Sequence, residues 1–147
     1  KAIHVNPNYS DAYWNRGYSY SKLEQLENSR DDYTKAIQLD PDNALYYVIR
    51  GATYGQLDQH QRAIQDLDEA IQLDPDNALA YYNRGNVVYR SLGQYQRAIQ
   101  DYDRTVQLDP DFAFAYVSRG VAYQMLGQTA NADADKAKAC ELDRSHC

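Results

Sequence analysis

Histidine and cysteine side chains are the first candidates for chemistry in this chain of 147 residues. His4, His60 and His146 lie far apart and recur at no common spacing, so they predict neither a general base nor a metal site. Cys140 and Cys147 are the only cysteines. They do not amount to a disulfide framework, and Cys140 stands where helical spacing predicts a small buried apolar residue. The Gly-rich phosphate loops, Cys-x-x-Cys and His-Glu-x-x-His are also missing from the sequence. We therefore expect no catalysis, no cofactor and no metal.

Four arginines, by contrast, recur with a regular acidic partner. Each precedes a glycine, and an aspartate follows on the next predicted helix. An arginine on an apolar helix face needs a carboxylate, because an unpaired buried charge is costly. A row of arginines that grips an acidic ligand is the alternative, and the aspartate of a Leu-Asp-Pro turn is a rival partner. We expect four largely buried structural ion pairs: Arg16–Asp32, Arg50–Asp66, Arg84–Asp101 and Arg119–Asp135.

These pairs recur because the whole chain repeats. The segment Leu39–Ala44 returns as Leu73–Ala78, and Leu-Asp-Pro-Asp appears again at 108–111. Within each repeat, apolar residues follow helical spacing in two stretches separated by a short polar turn. The proline after each second stretch ends the helix there. We expect first helices at residues 10–23, 44–57, 78–92 and 113–126, and second helices at 26–39, 60–73, 95–108 and 129–142.

Several stretches of the third repeat resemble the tetratricopeptide repeat (TPR) family: Tyr81–Gly85, Leu92–Tyr95, Ala98–Ile99 and Leu108–Pro110. The resemblance implies an all-α fold, an α-solenoid of four TPR helix-turn-helix repeats that forms a right-handed superhelix. It also implies that the first helices line the concave side and that the protein is a binding scaffold. The TPR array spans 7–147, with repeats at 7–40, 41–74, 75–109 and 110–143. Residues 1–6 resemble the end of a second helix from a preceding repeat.

Charge and hydropathy narrow the class of partner. The net charge of −6 and the pI of about 4.9 argue against nucleic acid and anionic membranes, which select basic surfaces. No apolar run is long enough to cross a bilayer. We expect a protein or peptide partner, no nucleic acid and no membrane insertion. The compartment stays open, although the scarcity of cysteine fits a reducing cytosol.

Positions that differ between repeats are the candidates for ligand contact, since the shared positions build the scaffold. On the first helices they form an apolar, aromatic set with scattered asparagines, which suits an extended peptide or an amphipathic helix. The alternative for some of them is packing between first helices. The expected peptide-binding groove comprises Trp14, Asn15, Tyr18, Val48, Ile49, Tyr82, Asn83, Asn86, Phe114, Val117, Ser118 and Val121.

We therefore expect an interaction scaffold whose concave groove binds a largely uncharged, partly apolar peptide or helix. TPR proteins that hold acidic chaperone tails use a Lys, Asn and Arg clamp, of which only Asn83 has a counterpart here. The alternatives are a structural spacer or self-assembly element, with self-association through exposed repeat ends, and a regulatory segment of a larger enzyme. The partial repeat at 1–6 and the short segment after residue 143 predict an excerpt of a longer array. The apolar face around Val117 and Val121 should then be exposed or covered by another molecule.

The third repeat also contains one extra residue. The turn prolines stand at positions 7, 41, 75 and 110, so the third interval is 35 residues instead of 34. The surplus lies in the first helix, because Gly85 and Tyr89 are one residue further apart than Gly51 and Tyr54. We predict a π-bulge at residues 86–88, which would centre the binding site on this repeat. The alternative is a longer helix with a reshaped turn.

Overall fold

The computed structural model describes residues 9–147 and, for residues 88–92, the backbone alone. The fold of this part is all-α. The predicted remnant at residues 1–6 and His4 lie outside it. In chain order the helices are α1 (Ser10–Lys22), α2 (Leu26–Leu39), α3 (Ala44–Gln56), α4 (His60–Leu73), α5 (Ala78–Leu92), α6 (Tyr95–Leu108), α7 (Ala113–Met125) and α8 (Thr129–Leu142), followed by a 3₁₀ turn (Arg144–His146). The predicted helices are confirmed, and their ends agree to within one residue.

Local sequence determines where the helices start. Asn43 and Asn77 precede α3 and α5, and their side chains accept hydrogen bonds from the backbone N–H groups of Leu45 and Ala80 at 3.2 and 3.1 Å. Such caps satisfy N–H groups that have no partner inside the helix. α1 and α7 begin without a side-chain cap.

In all four repeats, the turn between the two helices of a pair contains one residue in the left-handed backbone conformation, at the same turn position. Its φ angle is 58° at Glu24, 56° at Asp58, 58° at Gly93 and 74° at Gly127. This conformation ends a helix and favours glycine, so Glu24 and Asp58 are the two strained cases. The turns are so short that the two helices of a pair must be antiparallel neighbours.

The extra residue of the third repeat lengthens its first helix. α5 is α-helical from residue 78 to residue 92 and has 15 residues, compared with 13 in α1, α3 and α7. Gly93, in the left-handed conformation, ends it directly. The predicted π-bulge is therefore wrong. The left-handed residue that ends the helix lies one position further along, so the helix accommodates the extra residue without a wide turn. The reason for centring the binding site on the third repeat is therefore removed.

The described helices form two compact units: an N-terminal half, which ends at Pro75, and a C-terminal half from Asp76 to Cys147. In three helix pairs a fully buried side chain of the second helix packs over the glycine of the first. A Cβ atom on that glycine would lie 2.7 to 2.8 Å from this side chain. These glycines therefore permit the close approach of the two helices. The pairs are Gly17–Tyr33, Gly51–Leu67 and Gly85–Tyr102.

Candidate functional site

Each arginine of an Arg-Gly dipeptide donates two hydrogen bonds to the aspartate on its own second helix. The Nε and Nη2 atoms of every arginine contact the two carboxylate oxygens at distances between 2.6 and 3.0 Å. This two-point geometry is the strongest form of an arginine–carboxylate interaction. The pairs are Arg16–Asp32, Arg50–Asp66, Arg84–Asp101 and Arg119–Asp135.

The four arginines differ in exposure. The Arg50, Arg84 and Arg119 side chains are 15%, 24% and 16% exposed, whereas Arg16 is 47% exposed. The expectation that all four are largely buried is thus wrong for Arg16. Arg50 and Arg119 also donate to a side chain of the preceding second helix, and no described residue does this for Arg16. The hydrogen bonds that Arg119 donates to Asp135 raise the pKa of Arg119 above its usual value.

Those additional contacts differ in charge. Arg50 Nη1 donates to Thr34 Oγ1 at 3.2 Å, and Arg119 Nη1 donates to Asp103 Oδ1 at 2.7 Å. Arg119 therefore has two carboxylate partners, while Arg50 has one and a hydroxyl.

Tyrosine rings flank the same guanidinium groups, a feature that our sequence reasoning missed. In three repeats the guanidinium carbon lies 5.3 to 6.0 Å from the ring centres of the tyrosines three residues before and four residues after it. This distance is typical of a cation–π interaction. The recurring spacing Tyr-x-x-Arg-Gly-x-x-Tyr was the available signal. Rings and carboxylate together make these arginines part of the scaffold: Tyr13–Arg16–Tyr20, Tyr47–Arg50–Tyr54 and Tyr116–Arg119–Tyr123.

In the N-terminal half, the aromatic residues of α1 form part of a surface. Trp14 is half-buried against the cluster of Ala36, Ile37 and Tyr46. Tyr18 stacks on Trp14 at 6.1 Å between ring centres and is 47% exposed. Tyr18 therefore presents its ring to solvent, while Trp14 anchors it to the core.

The remaining expected groove residues of this half are less accessible to a ligand than Tyr18, or are already hydrogen-bonded. Val48 is 1% exposed and leaves the expected set. It occupies the repeat position of Trp14, and its shorter side chain ends inside the packing. Ile49 is half-buried. Asn15 is exposed, and its amide donates to the carbonyl oxygen of Asp11 at 2.8 Å.

In the C-terminal half, two expected groove residues take part in packing. The Tyr82 ring lies 4.8 Å from that of Phe112 and 6.1 Å from that of Tyr102. The Asn86 side-chain oxygen accepts a hydrogen bond from the Tyr102 hydroxyl at 2.8 Å. Both side chains are half-buried, so they act first as supports for the scaffold.

The other expected residues of this half lie at or near the surface. Phe114 and Val121 are 55% and 41% exposed. Asn83, Val117 and Ser118 are half-buried. The exposed face predicted around Val117 and Val121 is thus found at Val121 and only in part at Val117.

The C-terminal turn departs from the prediction for its cysteines. Cys140 forms a disulfide with Cys147 and is half-buried, so its interpretation as a small buried apolar residue is wrong. The Asp143 side chain accepts a hydrogen bond from the Ser145 backbone N–H at 2.9 Å, which lowers the pKa of Asp143 and starts the turn that brings Cys147 back. His146, expected at the surface, is only 15% exposed.

Exposed large hydrophobic side chains lie on first helices or directly beside them. Among the described residues, none lies on α2, α4, α6 or α8. α3 and α7 carry no charged residue apart from their paired arginine. In each half, we call the exposed large apolar residues on its first helices its first-helix surface. They are Tyr18 and Leu45 in the N-terminal half, and Leu79, Phe114, Val121 and Met125 in the C-terminal half.

Residues 9–147 contain neither a candidate membrane span nor a candidate metal site. No helix there is both long and apolar enough to cross a membrane. No three histidine, cysteine or acidic side chains of that stretch are placed to hold a metal ion.

Comparison with known proteins gives consistent matches. A family model of the TPR repeat matches residues 53–91 and 88–127, and two models of the tetratricopeptide repeat match residues 10–43 and 32–65. No curated protein sequence matches the chain. A crystal structure of MamA is 31% identical, with a TM-score of 0.85, and the match covers 98% of this chain and 84% of MamA.

Two further solved structures are similar over most of the chain. The TPR domain of Arabidopsis OM64 is 31% identical with a TM-score of 0.75, and the match covers 78% of this chain and 94% of that domain. The first TPR domain of Spaghetti (RPAP3), bound to the HSP90 peptide SRMEEVD, is 26% identical with a TM-score of 0.77. That match covers 80% of this chain and 93% of the other. All three structures support the all-α solenoid fold.

Proposed function

Because the chain belongs to the tetratricopeptide repeat family, it is a protein-interaction scaffold, and we propose that its ligand is a largely uncharged, partly apolar peptide or helix. The observation that carries this proposal is the placement of the exposed apolar side chains on the first helices. Apolar side chains grouped on one kind of surface mark interaction sites in soluble proteins.

The chemistry of the first-helix surface favours an uncharged ligand. The arginines that could bind a carboxylate are already engaged by aspartates and rings. A charged ligand would lose its hydration without gaining a counter-charge, which is costly. Burial of one large apolar side chain contributes about 1.5–3 kcal/mol. One such anchor therefore changes the dissociation constant by about tenfold or more.

An acidic peptide is the contrasting ligand class. The first TPR domain of RPAP3 is bound to the peptide SRMEEVD. The clamp that holds such tails in the TPR family uses Lys, Asn and Arg on successive first helices. Here the matching places hold mainly apolar residues such as Ile49 and Leu79, with Asn83 the one polar match. We therefore expect no measurable binding of SRMEEVD.

A peptide array tests the proposal. The wild-type protein is screened against peptides of three classes, uncharged and partly apolar, acidic (including SRMEEVD), and basic, and hits are titrated by fluorescence polarisation. Leu79→Ser and Phe114→Ser remove anchors of the first-helix surface, and Gln100→Ser, at an exposed position of α6, is the matched control. We expect the first two variants to weaken binding about tenfold and the control to leave it unchanged.

Two outcomes would overturn the proposal. One is preferential binding of acidic peptides, and the other is an equal loss in Gln100→Ser. Light scattering over a range of protein concentrations separates self-association from ligand binding. A dimer that dissociates in Leu79→Ser would support the self-assembly alternative instead.

A further inference from the structure

The C-terminal turn, residues 143–147, is attached to both helices of the fourth pair. Cys147 forms a disulfide with Cys140 of α8. The imidazole ring of His146 lies edge-on against the ring of Phe114 on α7, with 4.9 Å between the ring centres. The His146 side chain is only 15% exposed in this position. The turn thus places an aromatic side chain on a residue of the first-helix surface of the C-terminal half.

The hydrogen bonds inside this turn are local and few. The Asp143 side chain accepts from the backbone N–H of Ser145 at 2.9 Å, and the Asp143 carbonyl oxygen accepts from the backbone N–H of His146 at 3.0 Å. A 3₁₀ turn of three residues has poor hydrogen-bond geometry and contributes little stability by itself. Its residues gain conformational entropy when a restraint is removed. The disulfide is therefore the restraint that keeps His146 against Phe114.

This disulfide is accessible to a dithiol reductant, because Cys147 is exposed and Cys140 is half-buried. A thiolate of the dithiol attacks the Sγ atom of Cys147, the S–S bond breaks, and Cys140 leaves as a thiolate and takes up a proton. The second thiol of the dithiol loses its proton and attacks the mixed disulfide. Cys147 is released and protonated, and the dithiol becomes a disulfide. Two electrons and two protons thus pass from the dithiol to the two cysteines.

We propose that the Cys140–Cys147 disulfide is a redox switch for the first-helix surface of the C-terminal half. In the disulfide form the C-terminal turn holds His146 on the ring of Phe114. Reduction by a dithiol releases the turn, and the whole Phe114 ring becomes accessible to a ligand. This regulation rests on the proposed function, because Phe114 is one of the apolar anchors of the proposed ligand.

The size of the effect follows from competition for one ring. Phe114 is 55% exposed with His146 in place, so the disulfide form also binds ligand. A ligand must then displace the imidazole or leave one edge of the ring without a contact. The contact between two aromatic side chains is of modest strength. We therefore expect reduction to tighten ligand binding at this surface about threefold to tenfold.

Fluorine NMR tests the switch without a ligand. Phe112 and Phe114 are the two phenylalanines of the chain, so incorporation of 4-fluorophenylalanine gives two resonances, which Phe114→Leu assigns. Dithiothreitol is the dithiol, and alkylation by iodoacetamide with mass spectrometry counts the free thiols. We expect reduction to shift the Phe114 resonance and to increase its broadening by an uncharged nitroxide. The Phe112 resonance should not change, because that ring packs on Tyr82 at 4.8 Å.

Variants of the turn separate its contact from its disulfide. Cys147→Ser should show the reduced Phe114 resonance with or without dithiothreitol. His146→Ala retains both cysteines and should form the disulfide, yet its Phe114 resonance should not respond to reduction. Arg144→Ala, at an exposed position of the same turn, is the matched control and should respond as the wild type does.

Three results would overturn the proposal. One is a Phe114 resonance that stays unchanged while both thiols become alkylated, and another is a response that persists in His146→Ala. The third is failure of the two thiols to pair when the protein is incubated with glutathione disulfide.

Peptide binding then distinguishes this proposal from the proposed function. Uncharged array peptides that bind Phe114→Ser more weakly than the wild type are titrated against the oxidised and the reduced protein. We expect threefold to tenfold tighter binding to the reduced wild type and equal binding to both forms of His146→Ala. Equal affinities of both wild-type forms would overturn the regulation and leave the proposed function intact. No binding of any uncharged peptide in either form would overturn the proposed function and its regulation together.

Discussion

Asp66 and Asp32 offer a controlled test of what burial does to an ion pair. Both aspartates accept two hydrogen bonds from an arginine in the N-terminal half, at 2.6 to 2.8 Å. Their arginines differ, since Arg50 is 15% exposed and Arg16 is 47% exposed. Substitution of either aspartate by asparagine keeps the shape of the side chain and removes its charge.

The expected costs follow from the environment of each arginine. Removal of one partner from a fully buried pair costs about 3–5 kcal/mol, because the other charge is left uncompensated. An exposed pair is worth about 0–1 kcal/mol. Arg50 keeps its contacts with Thr34 and two tyrosine rings, so we expect Asp66→Asn to cost about 2–3 kcal/mol. Asp32→Asn should cost about 1 kcal/mol or less.

Urea unfolding measures both values. Circular dichroism follows the helices, and the fluorescence of Trp14, the single tryptophan, follows the N-terminal half. Equal losses of unfolding free energy in the two variants would refute the argument from burial. The double variant Arg50→Met with Asp66→Leu should recover most of the stability lost in Asp66→Asn, because an apolar pair needs no counter-charge. A double variant as unstable as Asp66→Asn would show that the ring contacts, not the charges, carry the energy.

Three further outcomes follow from packing and burial. Gly51→Ala should lower the unfolding free energy by about 1–3 kcal/mol, because its Cβ would lie 2.8 Å from Leu67 Cγ. Gly120→Ala should cost less, because its Cβ would lie 3.3 Å from the nearest atom. Equal losses of unfolding free energy in urea would contradict this. Burial raises the pKa of Tyr33, so the folded state keeps a proton that the unfolded state loses above about pH 10. The contribution of Tyr33 to stability should therefore be constant below that pH and be lost above it. A fall that is just as steep in Tyr33→Phe would show that Tyr33 is not the cause. Cys147→Ser removes the disulfide with Cys140 and should lower the unfolding free energy by up to about 2 kcal/mol. The melting temperature of the wild type in the presence of a reductant should equal that of the variant. A wild-type melting temperature that does not change with reductant would argue against the disulfide.

The helices were predictable because several independent signals agree at each boundary. The prolines, the turn glycines and the apolar period all mark the same residues, and the helix ends fell within one residue of expectation. The response to the inserted residue was not predictable in this way. Spacing shows that a residue is added near Gly85, but a wider turn and a longer helix give the same spacing. The left-handed Gly93 at the helix end settles the choice.

For the ion pairs, the sequence predicts the partners but not the exposure of each arginine. The recurrence of Arg and Asp indicated which residues pair, because an unpaired charge on an apolar face is costly. Recurrence does not indicate how exposed each arginine is, because the repeats share the paired residues but each packs against a different neighbouring helix. Arg119 lies beside Asp103, Arg50 lies beside Thr34, and Arg16 has no such described partner.

The candidate site could be predicted only in part, because a position that varies between repeats can serve either packing or binding. Val48 and Trp14 share one repeat position, yet one is buried and the other supports an exposed ring. Side-chain size and the neighbouring helix decide between these outcomes, and neither is visible in a list of variable positions. Variation at a packing position is more informative. Lys136 replaces a buried aromatic or aliphatic residue, and the surrounding glycine and alanines do not compensate for the lost volume. Since protein interiors are close-packed, such a substitution changes the packing of the fourth helix pair, which the recurrence of the repeat alone does not predict.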